Sequence, residues 1–170
     1  LDVMRLANEF DFEKFHLVGH DWGSAVGWYA ASKYADRLLT FSALSVPHLD
    51  AFFDAINNDK IQKKKSQYIY FFIKPFLPEF YFRIFNYRYL KKLWVESSHI
   101  EKEKYLEVFK QKDALKATLN WYRANFRDQK QKIGDIYVPT LIIYGINDMA
   151  VGENSVDNSE KFLKEDYNIK

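Results

Sequence analysis

The sequence predicts an α/β fold: a parallel sheet flanked by helices, with a helical layer inserted into it. Three observations lead there. Short apolar runs bounded by turn residues recur at Phe15–Gly19, Phe41–Val46 and Thr140–Gly145, the pattern of buried parallel strands. A small-residue helical stretch, about Gly23–Tyr34, joins the first two, so together they read as a strand–helix–strand unit with a right-handed crossover. From about Leu49 to Lys132 the pattern is helical, rich in Lys, Glu and aromatics, with no strand alternation. The expected organisation is core at 1–48, an inserted helical layer at 49–132, and core again at 133–170.

Composition narrows the function classes. The 170 residues suffice for one domain with a hydrophobic core. A formal charge of +2 gives no electrostatic case for nucleic acid or an anionic membrane. Cysteine is absent, which excludes a disulfide framework and fits a reducing, cytoplasmic setting. The opening LDVMRLANEFDFEKF reads as an amphipathic helix and not as a signal peptide. It begins on Leu1 with no cap and no initiator methionine, so the start of the protein is expected upstream.

Between Tyr68 and Tyr89, eleven of 22 positions are Phe or Tyr. Lys74, Pro75, Pro78 and Arg83 interrupt that run, and no apolar stretch approaches the ~20 residues that span a bilayer. A helical layer lining a pocket is the expected reading. The basic run Lys60, Lys63, Lys64 and Lys65 reads as a solvated face. No ligand cluster has metal spacing, so neither metal nor cofactor is expected.

The informative break lies in FHLVGHDWGSAVGWYAASKY, where an apolar strand stops at Gly-His-Asp-Trp-Gly and a helix begins. A strand ending in G-x-nucleophile-x-G and turning straight into a helix is the nucleophile elbow. The central residue, Asp21, would be held in a strained conformation that lifts its side chain clear of the sheet. Gly19 and Gly23, lacking Cβ, would let strand and helix approach closely. The helix N-terminus, beginning with the N–H of Trp22, would stabilise negative charge on an oxygen. The plainer alternative is a tight turn in which Asp21 merely caps the helix.

GHDWGSAVGWYAASKYADRL followed by LSVPH resembles the elbow, helix and next strand of α/β-hydrolases of the soluble epoxide hydrolase and haloalkane dehalogenase group. The likeness continues through QYIYFFIKPFLPE, LNWYRANFR and VPTLIIYGINDMAVG, nearly the whole chain and in the family's order. The resemblance implies an α/β-hydrolase fold with an inserted helical cap.

An aspartate at the apex suits particular chemistry. A carboxylate is already ionised at neutral pH and can displace a leaving group from saturated carbon, giving an alkyl ester on the enzyme. Attack on an acyl group would give a mixed anhydride, a poor intermediate for an esterase. Epoxides or alkyl halides are thus the expected substrates. An opening epoxide needs a proton donor, and neutral tyrosine supplies one. By resemblance, Tyr122 in LNWYR takes that role, and QYIYFF aligns Tyr68 with the second cap tyrosine, with Tyr70 two residues on. In a region this rich in tyrosine, an ordinary core aromatic is the alternative. Trp121 and Arg123 read as structural.

Trp22 decides nothing between epoxide and halide; the paired tyrosines favour the epoxide, a small apolar or aromatic one given the cap's composition. Asp148, at G-x-x-D after the third strand, is expected to orient the water-activating histidine, with capping of the following helix as its alternative.

No histidine follows Asp148, and none of His16, His20, His48 and His99 stands in the base's place. The early His-Gly-x-Pro loop, the family's second oxyanion donor, is missing too. The 170 residues are therefore expected to be an internal piece of a protein of roughly 300, with N- and C-terminal core parts missing. Rival readings are a haloalkane dehalogenase-type hydrolase and a catalytically silent binding module on the same fold. A serine esterase using Ser24 is rejected, because Ser24 lies one turn into the helix.

Overall fold

A computed structural model describes residues 2–95, 97–126 and 132–170. The elements run α1 Asp2–Glu9, β1 Phe15–His20, α2 Trp22–Lys33, β2 Leu38–Leu44, α3 Leu49–Asn58, α4 Lys60–Lys65, α5 Gln67–Phe72, α6 Leu77–Ile84, α7 Arg88–Lys91, α8 His99–Lys110, α9 Ala114–Phe126, β3 Thr140–Ile143, α10 Glu153–Asp157 and β4 Tyr167–Ile169. Two compact units result. The first takes in the described residues of Leu1–Ser66 and Gln131–Lys170, the second those of Gln67–Lys130.

In the first unit the four strands form one parallel sheet in the order β1-β2-β3-β4. The three expected strands are present. Gly19 pairs with Ala43, and Ala43 with Ile142, so the strands end in step. β4 was not anticipated: Tyr-Asn-Ile is too short to carry a periodic signal, and pairing with β3 alone defines it.

The expectation that β1 is buried on both faces is corrected. His16, Val18 and His20 are exposed, Val18 at 64%, while Phe15, Leu17 and Gly19 face inward. Among the described residues β1 pairs with β2 alone, and its inward residues are those that alternate with the exposed ones.

α2 lies close on the sheet. A Cβ on Gly27 would stand 2.3 Å from Cε2 of Phe41, so only glycine permits this approach. Buried Trp28 meets Phe41 edge-on at 4.9 Å and donates its indole N–H to the Val46 carbonyl at 2.9 Å.

α3 and α4 belong to the first compact unit, and His48 ties the start of α3. The His48 ring stacks on Phe162 at 4.2 Å. Its Nδ1 accepts the Asp50 N–H, capping α3, and its Nε2 donates to the Gly134 carbonyl at 2.9 Å. Asp50 in turn accepts the N–H groups of Ile133 and Gly134. Burial holds the His48 pKa at about 4, below its ordinary 6.5, so the ring is neutral.

The second unit is a helical cluster around Phe82, Leu90, Leu115 and Leu119, with Phe71, Phe72, Tyr81, Tyr89 and Trp94 packed on it. Much of the aromatic run is therefore core. α8 opens with a capping box, Ser98 with Glu101. Arg123 of α9 grips Glu79 of α6 through two bonds of 2.6 and 2.8 Å, and also donates to the Lys74 carbonyl. This bidentate bond holds the Glu79 carboxyl below its usual range and raises the Arg123 pKa. Trp121 is more than half exposed. Among the described residues no helix is long and apolar enough to cross a membrane.

Two outcomes are expected. The unfolded chain protonates His48 more readily than the folded one, so this group's contribution is complete above pH 6.5 and is lost as pH falls toward 4. The loss should reach roughly 3 kcal/mol in denaturant midpoints, and a His48→Asn variant should lack that limb. Arg123→Met should cost roughly 2–4 kcal/mol of stability, since it strands the nearly buried Glu79 carboxylate; an unchanged melting curve would show that the pair contributes nothing.

Candidate active site

Asp21 occupies a turn that few side chains adopt. Its backbone sits at φ 51°, ψ −122°, between the last residue of β1 and the first of α2. For a non-glycine residue this region costs on the order of 1–3 kcal/mol. The turn persists because its surroundings allow no other path. A Cβ on Gly19 would lie 2.4 Å from the Gly23 carbonyl oxygen, so the strand's end and the helix's first turn touch backbone to backbone.

The Ser24 hydroxyl completes the lock. Buried, it lies 2.6 Å from the Gly19 carbonyl and 2.9 Å from that of Leu44, and it accepts the Leu44 N–H at 3.0 Å. The Asp21 N–H itself donates to the Leu44 carbonyl at 3.3 Å. Ser24 is thus fully engaged in structure, and a seryl nucleophile there is excluded. Gly23 behaves differently from expectation: a Cβ at this position would meet nothing within 4 Å, and its part in the close approach is its backbone alone.

The capping alternative for Asp21 fails as well. α2 receives no side-chain cap bond from Asp21, and the carboxylate is exposed. The first-turn amides of α2, starting at Trp22, lie beside it, as any helix N-terminus presents them.

Asp148 lies on the same end of the same sheet. His20 pairs with Leu44 and Leu44 with Ile143, so the C-terminal ends of β1, β2 and β3 are level. Asp21 follows the first directly, and Asp148 lies in the loop after the third. The Asp148 Oδ1 accepts the N–H groups of Ala150 at 2.7 Å and Val151 at 3.0 Å. It orders its own loop and does not cap α10, whose N-cap is Gly152. Oδ2 carries no hydrogen bond among the described residues.

Tyr68 of α5 and Tyr122 of α9 come together within the second unit, ring centroids 6.0 Å apart and edge to face. Phe72 packs against both, at 5.4 and 5.0 Å. Both tyrosines are half-buried, whereas Tyr70, the alternative register, is 47% exposed.

The histidines have other occupations. His16 bonds Thr40 at 2.8 Å, His48 is buried as described, and His99 approaches Glu103 on an exposed helix. His20 is exposed beside the elbow. Two residues escaped the sequence reading, Gln62 and Lys65, both bonded to the Asp148 loop. Lys65 is therefore not part of the solvated face, although Lys60, Lys63 and Lys64 are exposed.

The first unit thus carries a parallel sheet, a strained acidic turn where β1 runs into α2, and a second carboxylate in the loop after β3. The chain belongs to the alpha/beta hydrolase fold family, whose sequence model spans residues 2–169. It is 28% identical over 179 residues to Epoxide hydrolase 4 of Homo sapiens, covering 99% of this chain and 49% of that protein. It is 32% identical over 167 residues to AB hydrolase superfamily protein YfhM of Bacillus subtilis, covering 94% of this chain and 58% of that one. Among solved structures, a mutant epoxide hydrolase from Bacillus megaterium matches with a TM-score of 0.81 at 21% identity, over 99% of this chain and 64% of its own. That likeness speaks for the fold. The chain spans about half the length of the curated relatives it matches.

If the turn is strained as its dihedrals indicate, Asp21→Gly should raise the unfolding free energy by about 1 kcal/mol, the relief of strain exceeding the flexibility that glycine adds to the unfolded chain. A lower denaturation midpoint for that variant would show that Asp21 is not under strain.

Proposed function

We propose that this protein is an epoxide hydrolase that works through an ester on Asp21. The observation carrying this reading is the Asp21 carboxylate itself: exposed at the tip of a strained turn, beside a helix N-terminus, and not used as a cap. The names of the curated relatives agree with it.

The chemistry divides into two halves. In the first, an Asp21 oxygen attacks a ring carbon of the epoxide and the carbon–oxygen bond breaks. Tyr122 and Tyr68 donate the proton that the opening alkoxide requires. The second unit acts as the cap, and its aromatic composition favours a small apolar or aromatic epoxide. In the second half, water attacks the ester carbonyl, the N–H of Trp22 steadies the developing oxyanion, and a diol leaves. A histidine from beyond Lys170 activates that water, with Asp148 orienting it and stabilising its imidazolium. This route calls for no metal or cofactor.

The test uses the full-length protein, styrene oxide and heavy-oxygen water. Over many turnovers the label should enter the Asp21 carboxyl group, because each hydrolysis replaces a carboxyl oxygen with one from water. Asp21→Ala should abolish diol formation. Label confined to the diol, with none in Asp21, would exclude the ester route; bromide release from a bromoalkane without any diol from epoxides would select dehalogenation instead.

A further inference from the structure

We infer that Lys65 and Gln62 are positioning residues that clamp the Asp148 loop in its working geometry. The inference rests on Asp148 being the acid of the reaction proposed above. Its grounds are a set of hydrogen bonds that join residues more than 80 positions apart.

The loop after β3 folds back on itself because Asp148 Oδ1 accepts the amides of Ala150 and Val151. That turn leaves the loop's carbonyls facing outward from it. The Lys65 ammonium donates to two of them, those of Asp148 and Val151, the second at 2.8 Å. One cation thus ties together both ends of the turn that the carboxylate makes. Gln62 takes the backbone groups between and beyond. Its Nε2 donates to the Ala150 carbonyl at 2.8 Å, and its Oε1 accepts the Gly152 N–H at 2.7 Å.

Each residue from Asp148 to Gly152 except Met149 is therefore held at the backbone by one of these two side chains. Met149 is exposed. Gln62 is completely buried, and its second amide proton goes to the Ser66 hydroxyl at 2.9 Å. Gln62, Lys65 and Ser66 are spaced by three and four residues, so they share one face of the α4 turn and its end. α4 is itself fixed by Asp59, whose side chain accepts the Ile61 N–H at 2.8 Å. A buried amide and a bridging ammonium directed at one short loop form a rigid support, and the group that loop carries is the Asp148 carboxylate with one oxygen uncommitted.

The consequence is specific to half of the reaction. Ester formation needs Asp21 and a proton donor; ester hydrolysis needs the histidine that Asp148 orients. Loosening the loop should slow the second and leave the first alone. A role limited to folding would slow both or neither.

The experiment is rapid mixing of the full-length protein with styrene oxide, read by intact-mass spectrometry. Asp148→Asn serves as the reference and should accumulate ester on Asp21. Lys65→Met should form ester within about twofold of the wild-type rate and hydrolyse it roughly 10- to 100-fold more slowly. Its kcat and KM should fall together, and the acid limb of kcat should move to lower pH as the imidazolium loses support. Lys65→Arg, which keeps a charged donor able to reach two carbonyls, should recover most of the rate.

Wild-type hydrolysis of the ester by Lys65→Met, alongside accumulation in Asp148→Asn, overturns the clamp and leaves the acid assignment standing. Wild-type hydrolysis by Asp148→Asn itself overturns both. If Lys65→Met does not fold, Lys65→Gln carries the same comparison: slower hydrolysis at an unchanged rate of ester formation supports the clamp, and equal hydrolysis removes it.

Discussion

The turn that joins β1 to α2 rests on an unfavourable backbone conformation. Asp21 at positive φ is a local cost, and it survives because Gly19 admits the Gly23 carbonyl where a side chain would otherwise stand, while Ser24 bonds the ends of two strands. The same hydroxyl accepts the Leu44 amide, so the turn is welded to β2 as well as to β1. Because β2 pairs level with β3, the position of Asp21 is transmitted through the sheet register to the loop that carries Asp148. Two carboxylates distant in sequence thus share one end of one sheet.

They are held there by different physics. Asp21 is placed by steric exclusion and backbone contact, which leaves its carboxylate uncommitted to capping. Asp148 is placed by hydrogen bonds, some made by its own Oδ1 and others made to its loop by Gln62 and Lys65. The contrast fits the tasks proposed for them. A carboxylate nucleophile needs one oxygen open to the substrate, whereas an orienting acid needs one oxygen for its partner and can spend the other on its own support.

The second unit is built on aromatic packing. Phe71, Phe72, Tyr81 and Phe82 meet edge to face at 5.4–6.2 Å, geometry that favours ring edges against ring faces. Arg123 with Glu79 is a bidentate polar tie that joins the helix bearing Tyr122 to the helix that follows the Tyr68 segment. The tyrosine pair is thereby fixed by its neighbours on either side. It sits at the edge of a hydrophobic cluster, with Phe72 in contact with both rings.

The local sequence was enough for the sharp strand–helix turn at Asp21, the parallel strands and the aromatic helical layer. Each is a short-range pattern: glycines around an aspartate, apolar runs between turn residues, rings at helical spacing. The sequence reading took β1 as buried, and the exposure of His16, Val18 and His20 came only with the structure. What needed the tertiary structure were contacts across long separations in the chain. Lys65 reaches its loop over 83 residues and Gln62 over 90, and no periodicity distinguishes either from its solvated neighbours. The burial of His48, the ring contact of Tyr68 with Tyr122 and the short β4 belong to the same group. Each is decided by which surfaces the folded chain brings into contact, and a side chain's partners at that range leave no mark on the residues beside it.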